Sequence, residues 1–199
     1  FGIQLKTAVV KDKRKSRDIA QIQNLTTNIQ DVLNDPEIDI VVELIGGIHP
    51  AKEFIIAAMK KGKHIVTANK ALLAEYGEEI FKVAQACGVD IYFEASVVAG
   101  VPIIKSLREG FAGDKIGAVL GIVNGTCNFI LSRMTNDGVS FGDALKDAQK
   151  QGYAERNPSL DINGPDSAHK LVLLTLLSFG EFVKLNDVYA EGITDISAN

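Results

Sequence analysis

The sequence predicts an α/β fold with a parallel sheet in its first half and an α+β arrangement in its second half. Up to about residue 95, short β-branched runs alternate with longer amphipathic runs, which is typical of parallel strands joined by crossover helices. One short run, residues 38–45, is apolar almost throughout, as parallel strands are when both faces are buried. After residue 100 this alternation stops.

The elements of the first half follow from this periodicity and from its turn residues. Asp35-Pro36 ends a short helix, and Gly46-Gly47 opens the turn into a helix that starts at Pro50. The predicted strands are 4–10, 38–45, 64–67 and 90–93, and the predicted helices are 27–34, 50–61 and 72–87.

Polar groups follow three of these strands, at residues 43–47, 67–70 and 94–100. Because ligands of parallel sheets bind beyond the carboxyl ends of the strands, the three groups predict a ligand-binding edge. Lys70 lies directly after a strand and is either a ligand contact or simply a lysine at a helix start. A basic loop, residues 11–17, is either solvated or a cradle for phosphate, whereas Asp12 within it suits a ribose hydroxyl.

The second half begins at a boundary near residues 97–103, so we expect domains at 1–98 and 99–199. A helix is predicted to begin at 101–107, and residues 116–123 predict a long strand that is exposed or at a sheet edge. Asn124 then turns the chain into an apolar helix. Residues 140–151 predict an amphipathic helix with Phe141, Ala144, Leu145 and Ala148 on one face.

The segment 152–170 holds three carboxylates and one lysine, just before the apolar run 171–179. Asn163-Gly164-Pro165 predicts a helix start with Asn163 as a cap and Pro165 in the first turn. Over residues 171–179 this helix is apolar nearly all round, which predicts that it is buried.

Asp166 and Lys170 lie four residues apart and therefore on one face of this helix. One interpretation is a helix cap with a surface ion pair, which contributes little to stability. The other is a polar pocket, in which a desolvated lysine exchanges a proton while carboxylates hold a cationic substrate.

Composition narrows the classes of function. The 199 residues carry a net charge of −4 without polybasic character, so nucleic acid is not expected as a partner. No apolar run approaches about 20 residues, so a membrane span is not expected either. Cys87 and Cys127 are interpreted as small buried side chains in a reducing compartment.

One motif of the dinucleotide-binding Rossmann fold is missing. Such a fold usually opens with a strand, a G-x-G-x-x-G turn and a helix, and no such turn occurs here. Residues 4–10 resemble the second strand of such a unit, and the chain begins with Phe1 rather than Met. We therefore expect a fragment whose phosphate-binding turn lies upstream.

Five segments together resemble the homoserine dehydrogenase family, in the order and spacing of that family. They are VVELIGG (41–47), TANKALLA (67–74), EASVVAGVPII (94–104), GIVNGTCNFIL (121–131) and YAERNPSLDINGPDSAHKL (153–171).

The resemblance implies a Rossmann-like cofactor domain followed by an α+β substrate and dimerisation domain, each incomplete here. It implies reversible reduction of L-aspartate 4-semialdehyde to L-homoserine with NADH or NADPH, in the biosynthesis of threonine, methionine and isoleucine. It further implies a cytoplasmic homodimer that acts on a small amino-acid substrate, with Na+ or K+ as an additional ion. The basic loop and Asp12 leave the choice between NAD and NADP open.

The resemblance also implies roles for individual residues. Lys170 is the expected acid/base, with Asp161 and Lys70 as further catalytic residues. The expected substrate contacts are Glu155, Asp166, Gly125, Thr126 and Tyr153. The expected cofactor contacts are Gly46, Gly47, Thr67, Asn69 and Lys70, and the expected cation ligands are Glu94 with the carbonyls of Val97, Ala99 and Val101.

The chemistry fits these roles, because an alkoxide formed by hydride transfer needs a proton donor whose pKa is tuned by its surroundings. Two other interpretations stay open. One is another Rossmann oxidoreductase with a lysine acid/base, such as a polyol dehydrogenase. The other is a non-catalytic module that serves as a dimer scaffold or nucleotide sensor, which the missing glycine-rich turn favours.

Overall fold

The computed structural model describes residues 2–15 and 22–197, which form two compact units. The first unit comprises the residues up to Leu72 together with Tyr76–Tyr92. The second comprises Leu73–Glu75 and the residues from Phe93 onward. The expected boundary at 98/99 stays a prediction.

The strands of the first unit are parallel, as predicted. β1 (Thr7–Val9) pairs with β2 (Asn24–Thr26), and a second sheet has the order β3 (Ile40–Glu43), β4 (His64–Thr67), β5 (Ile91–Tyr92). β2 has no counterpart among the predicted strands, because Asn-Leu-Thr offers a single apolar side chain and no readable alternation.

Three helices accompany these strands: α1 (Gln30–Leu33), α2 (Ala51–Lys60) and α3 (Lys70–Cys87). α2 packs against β3 and β4 and buries Ile55, Ala58 and Met59. α3 starts two residues earlier than predicted, because the Asn69 side chain accepts a hydrogen bond from the Leu72 N–H and caps it. Cys87, at the end of α3, is exposed, so its predicted burial is wrong.

The prediction that strand 38–45 is buried on both faces is wrong. Ile40 and Val42 are 50% and 55% exposed, and Val66 and Tyr92 lie exposed on the same face of the sheet. The sheet buries its opposite face, with Ile65 at its centre. A continuous apolar run shows that a strand can be covered on both faces, but not that both are covered.

The second unit is helical over most of its described length. The helices Gly125–Asp137 and Phe141–Lys150 pack together around a core that includes Ile130, Met134, Ala144 and Ala148. This confirms the predicted face of the second helix. The helices are α4 (Ile103–Lys105), which continues into a π-helical turn (Ser106–Gly110), α5 (Gly125–Asp137), α6 (Phe141–Lys150), α7 (Ser159–Ile162) and α8 (Pro165–Phe179).

Three local predictions in this unit are wrong. Residues 116–123 form no strand, since no segment described in this unit pairs with them, and Leu120 and Ile122 are exposed. Asn163 ends α7 rather than capping α8, which begins after Gly164 with Pro165 in its first turn. α8 is also not buried all round, because Leu171 is exposed although Val172 and Leu173 are buried.

Across residues 2–15 and 22–197, none of the helices combines the length and apolar character that a membrane crossing requires.

Candidate active site

The Lys170 ammonium on α8 is largely shielded from solvent. Its Nζ donates hydrogen bonds to Asp166 Oδ2 at 2.6 Å and to the Val123 carbonyl at 2.5 Å. The Lys170 and Asp166 side chains are only 14% and 8% exposed, so the interpretation as a surface ion pair is wrong. Within the part of the chain that the structure describes, these bonds use two of the three ammonium hydrogens and leave one for a further acceptor.

The start of α8 places this pair. Gly164 has a positive φ of 99°, and a Cβ there would lie 3.2 Å from the Glu191 carbonyl oxygen, so the position requires glycine. Pro165 then fixes the first turn, and Asp166 follows where the helix dipole favours a negative charge. The four-residue spacing brings Lys170 over Asp166.

Asn124 joins this pair to a second carboxylate. Its Nδ2 donates to Asp161 Oδ1 at 2.7 Å and to Asp166 Oδ2 at 2.9 Å. Its Oδ1 accepts the Cys127 N–H at 2.8 Å and so caps α5. The sequence predicted a turn at Asn124 but no site role, although Asn before Gly-Thr is itself a helix-start signal.

The Cys127 thiol borders the same network. Its Sγ donates to the Asp161 backbone carbonyl at 3.3 Å. Burial raises the pKa of this thiol, the Asp161 and Asp166 charges raise it further, and Lys170 acts in the opposite direction. The thiol is therefore protonated near neutral pH and has little nucleophilic character.

The other predicted substrate contacts lie around the start of α5. Thr126 Oγ1 donates to the Tyr153 carbonyl at 2.6 Å, and the Tyr153 ring stacks on Phe129 with 4.6 Å between centroids. Gly125 is the first residue of α5. Glu155 is exposed, and its backbone carbonyl accepts a hydrogen bond from Gln149. Within the described residues, its carboxylate takes no part in the Lys170 network.

In the first unit, two of the predicted polar groups meet at the carboxyl ends of β3 and β4. Glu43 Oε1 accepts the N–H groups of Ile45 and Gly46 at 2.7 and 3.1 Å. Its Oε2 accepts the Thr67 hydroxyl at 2.6 Å. The buried carboxylate is thus held by neutral donors and fixes the loop that follows β3.

Asn69 joins the start of α3 to the loop after β3, whose backbone is exposed at Gly46 and Gly47. Its Nδ2 donates to the Gly47 carbonyl at 2.7 Å. Gly46 and Gly47 have φ values of 74° and 70°, and both are exposed with open space where a Cβ would stand. An open glycine loop at this edge fits the approach of a dinucleotide. Lys70 is the first residue of α3 and is half-buried.

The basic loop follows β1, as the sequence predicted. Asp12 accepts hydrogen bonds from the Arg14 N–H and Nε at 2.9 and 3.1 Å, and from Arg14 Nη2 at 3.1 Å. Arg14 therefore competes with a ribose hydroxyl for the Asp12 carboxylate. Ser16 and Arg17 lie outside the described residues.

The Glu94 carboxylate contacts the start of α4. Its two oxygens accept the N–H groups of Ile104 and Lys105, each at 3.0 Å. Between these elements Val98 has a φ of 47°, a left-handed conformation that is rare for a β-branched residue. The predicted cation ligands surround this strained residue in the chain.

Comparison with known proteins decides the family. The model of the homoserine dehydrogenase NAD-binding domain matches residues 1–94, and the homoserine dehydrogenase model matches residues 102–199. The chain is 43% identical to the homoserine dehydrogenase of Bacillus subtilis over 98% of its length. It is 46% identical to that of Synechocystis over 99% of its length. The chain belongs to the homoserine dehydrogenase family.

Solved structures of homoserine dehydrogenases share its fold. The enzyme from Thiobacillus denitrificans is 52% identical, with a TM-score of 0.90 over 96% of this chain and 44% of its own. A hyperthermophilic archaeal homoserine dehydrogenase in complex with NADPH is 31% identical, with a TM-score of 0.78 over 87% of this chain and 54% of its own. The chain spans about half the length of the curated relatives it matches, 45% and 46% of those above.

Proposed function

We propose that the protein is a homoserine dehydrogenase, which reduces L-aspartate 4-semialdehyde to L-homoserine with NADH or NADPH and catalyses the reverse reaction. The observation that supports this most is the Lys170 ammonium, which is shielded from solvent and keeps one hydrogen for a substrate oxygen. Membership of the family supports the substrate and the cofactor class.

The proposed mechanism assigns the proton to Lys170. A nicotinamide cofactor, when bound, would supply the hydride. Lys170 donates a proton to the aldehyde oxygen as negative charge develops there. Asp166 orients the ammonium through their 2.6 Å hydrogen bond. Asp161 and the more exposed Glu155 bind the substrate ammonium, and their negative charges exclude anionic groups from that end of the site.

The remaining roles are proposed on the same basis. Gly125, Thr126 and Tyr153 shape the substrate site, where the hydrogen bond from Thr126 to Tyr153 holds two of them together. The cofactor lies against the open loop of Gly46 and Gly47, which Thr67 and Asn69 hold in place. Lys70 contributes a second positive charge to the binding of the nicotinamide cofactor and the substrate.

Lys170→Ala in the full-length enzyme tests this function. Because general acid catalysis contributes about 10²–10⁴ in rate, we expect kcat to fall by at least about a hundredfold. The far-UV circular dichroism spectrum is expected to stay unchanged. Lys184→Ala, which removes an exposed lysine of the same unit, is the matched control and is expected to keep kcat. A Lys170→Ala enzyme with the kcat of the unsubstituted protein would refute the assignment.

Two further assays separate the alternatives. Activity with aspartate semialdehyde but not with polyols distinguishes a homoserine dehydrogenase from other lysine-dependent oxidoreductases. Titration of the 199-residue chain with NADPH, followed by nicotinamide fluorescence, tests cofactor binding by these residues. A chain that gives no saturable signal acts as a scaffold rather than as a cofactor-binding unit.

The ion and the assembly are proposals of the same kind. We propose that Glu94 and the carbonyls of Val97, Ala99 and Val101 bind Na+ or K+, and that the enzyme is a cytoplasmic homodimer. Replacing K+ and Na+ by tetramethylammonium should lower kcat if the ion is required. Light scattering after size-exclusion chromatography should give twice the mass of one chain.

A further inference from the structure

We propose that Asn124 is a positioning residue of the Lys170 site, which sets the separation of the Asp161 and Asp166 carboxylates through a single side-chain amide. The inference deepens the proposed function, because it assigns the residue that holds the acid/base network in place. It rests on four hydrogen bonds that converge on Asn124 and its partners.

The orientation of the amide is determined by its surroundings. Asn124 Oδ1 accepts the Cys127 N–H at 2.8 Å, so Nδ2 must face the two carboxylates. Its two hydrogens are then used at 2.7 Å and 2.9 Å, one on Asp161 and one on Asp166. The side chain is buried, so an amide turned the other way would place its oxygen against two carboxylates without a hydrogen bond between them.

A neutral double donor is what this position needs. Asp166 Oδ2 accepts from both Asn124 and Lys170, so a cation at residue 124 would compete with the ammonium. An anion there would add a third negative charge beside the two carboxylates. The amide lowers the repulsion between Asp161 and Asp166 without changing the net charge of the site.

The same side chain connects the carboxylates to the substrate side of the site. Asn124 caps α5, whose first two residues are Gly125 and Thr126, both proposed substrate contacts. A displacement of α5 therefore moves the carboxylates with it. The geometry assigns Asn124 to alignment of the substrate ammonium with the acid/base, and not to contact with the reacting atoms.

Two substitutions separate this role from simple helix capping. Asn124→Asp and Asn124→Ser both keep an oxygen that can cap α5. The aspartate loses the donor and adds a charge, whereas the serine loses the reach to both carboxylates. Ser140→Ala is the matched control, because Ser140 caps α6 in the same unit through the Asp143 N–H.

Kinetics of the full-length enzyme form the first measurement. We expect both Asn124 variants to lose at least about tenfold in kcat/KM for the semialdehyde, which corresponds to misalignment of a hydrogen-bonded network. The KM for NADPH should stay unchanged. The acid limb of the kcat/KM profile should move to higher pH in Asn124→Asp only, and Ser140→Ala should move neither limb. A pH profile that is identical in all four enzymes would overturn the inference.

Unfolding of the 199-residue chain by urea at pH 5 and pH 8 gives a second measurement that needs no activity. Among the described residues, the titratable groups of this network are Asp161 on α7 and Asp166 on α8, which Asn124 contacts, together with Lys170 and the Cys127 thiol, which contact these partners. A carboxyl added beside two carboxylates titrates at higher pH in the folded state than in the unfolded state. The stability of Asn124→Asp should therefore fall, relative to Asn124→Ser, as the pH rises.

The two measurements separate this inference from the proposed function. An unsubstituted enzyme that does not reduce aspartate semialdehyde contradicts the proposed function alone. If Asn124→Asp and Asn124→Ser differ equally in stability at pH 5 and pH 8, residue 124 does not face the carboxylates, and the positioning role is wrong.

Discussion

Lys63 and Lys170, one in each unit, are both largely shielded from solvent, and their hydrogen-bond partners differ. Lys63 in the first unit is 4% exposed, and its Nζ donates to the carbonyls of Asp35 and Ile38 at 2.6 and 2.8 Å. Lys170 in the second unit donates to one carbonyl and one carboxylate. Both satisfy the rule that a buried charge must be hydrogen-bonded.

The difference lies in what surrounds those partners. The two carbonyls bonded to Lys63 belong to one short connection between α1 and β3, so this lysine closes a turn. The carboxylate bonded to Lys170 is itself bonded to Asn124, which reaches Asp161. Burial of a lysine therefore does not by itself indicate a catalytic role. Membership in a network that can bind an amino group and move a proton is the better criterion.

Lys63→Met tests the structural side of this comparison and should have a large effect on stability. The variant removes the two hydrogen bonds from Lys63 Nζ, although the Asp35 carbonyl keeps a 3.4 Å bond from the Ile38 N–H. At about 1 kcal/mol for each bond lost, we expect the free energy of unfolding to fall by about 2 kcal/mol. The kcat of the folded enzyme should stay unchanged, in contrast to Lys170→Ala. Urea unfolding and steady-state kinetics measure the two quantities.

Lys61→Met is the control for this comparison. Lys61 lies with Lys63 in the connection between α2 and β4 and is exposed. Its replacement should therefore change stability by less than about 0.5 kcal/mol. If Lys63→Met lost turnover while it stayed folded, the division between a structural and a catalytic lysine would be wrong.

The two cysteines should differ in their rate of alkylation. Cys87 is exposed, whereas burial and the charges of Asp161 and Asp166 raise the pKa of Cys127. At pH 8 a smaller fraction of Cys127 is thiolate, so we expect iodoacetamide to alkylate it at least about tenfold more slowly than Cys87. Mass spectrometry of the peptides at successive times measures both rates.

The pH dependence and one variant sharpen this prediction. The difference in rate should narrow as the pH rises toward the raised pKa of Cys127, because more of that thiol then ionises. Asp161→Asn removes one of the charges that raise this pKa, so Cys127 should react faster at pH 8. An unchanged rate in Asp161→Asn would show that burial alone protects the thiol.

The sequence predicted those parts of the site that depend on local spacing. The contact of Lys170 with Asp166 follows from four residues of one helix, and the parallel strands follow from their alternation with helices. The partners of Asn124 lie 37 and 42 positions away, and no local pattern connects them. Lys63 stands in the run KKGK, where nothing distinguishes the buried lysine from its exposed neighbours.

The strand predicted at 116–123 failed for a related reason. Its residues have the composition of a strand, but a strand also needs a neighbour to accept and donate its backbone hydrogen bonds. The described residues of the second unit supply none, and the segment forms no strand. Local propensity predicts which segments can pair, and the partner decides whether they do.

Both units place glycine at most of their described positive-φ positions, but one such position of the second unit holds a valine. The first unit uses glycine after β3, at Gly46 and Gly47, where this conformation has no steric cost. The second unit places Val98 at a φ of 47° in the segment before α4. A β-branched side chain in this region costs roughly 1–2 kcal/mol, which stores strain beside the proposed cation ligands.

Val98→Gly should release this strain. The gain is offset by the greater flexibility of glycine in the unfolded chain, so we expect the free energy of unfolding to rise by about 0.5–1 kcal/mol. Val97→Gly is the control, because Val97 is extended, with a φ of −129°, and fully buried. Its loss should cost about 2–3 kcal/mol through the apolar contacts removed. If Val98→Gly were destabilising as well, the side chain of Val98 would stabilise the fold by packing more than its backbone conformation costs, and the strain would have no part in shaping the cation ligands.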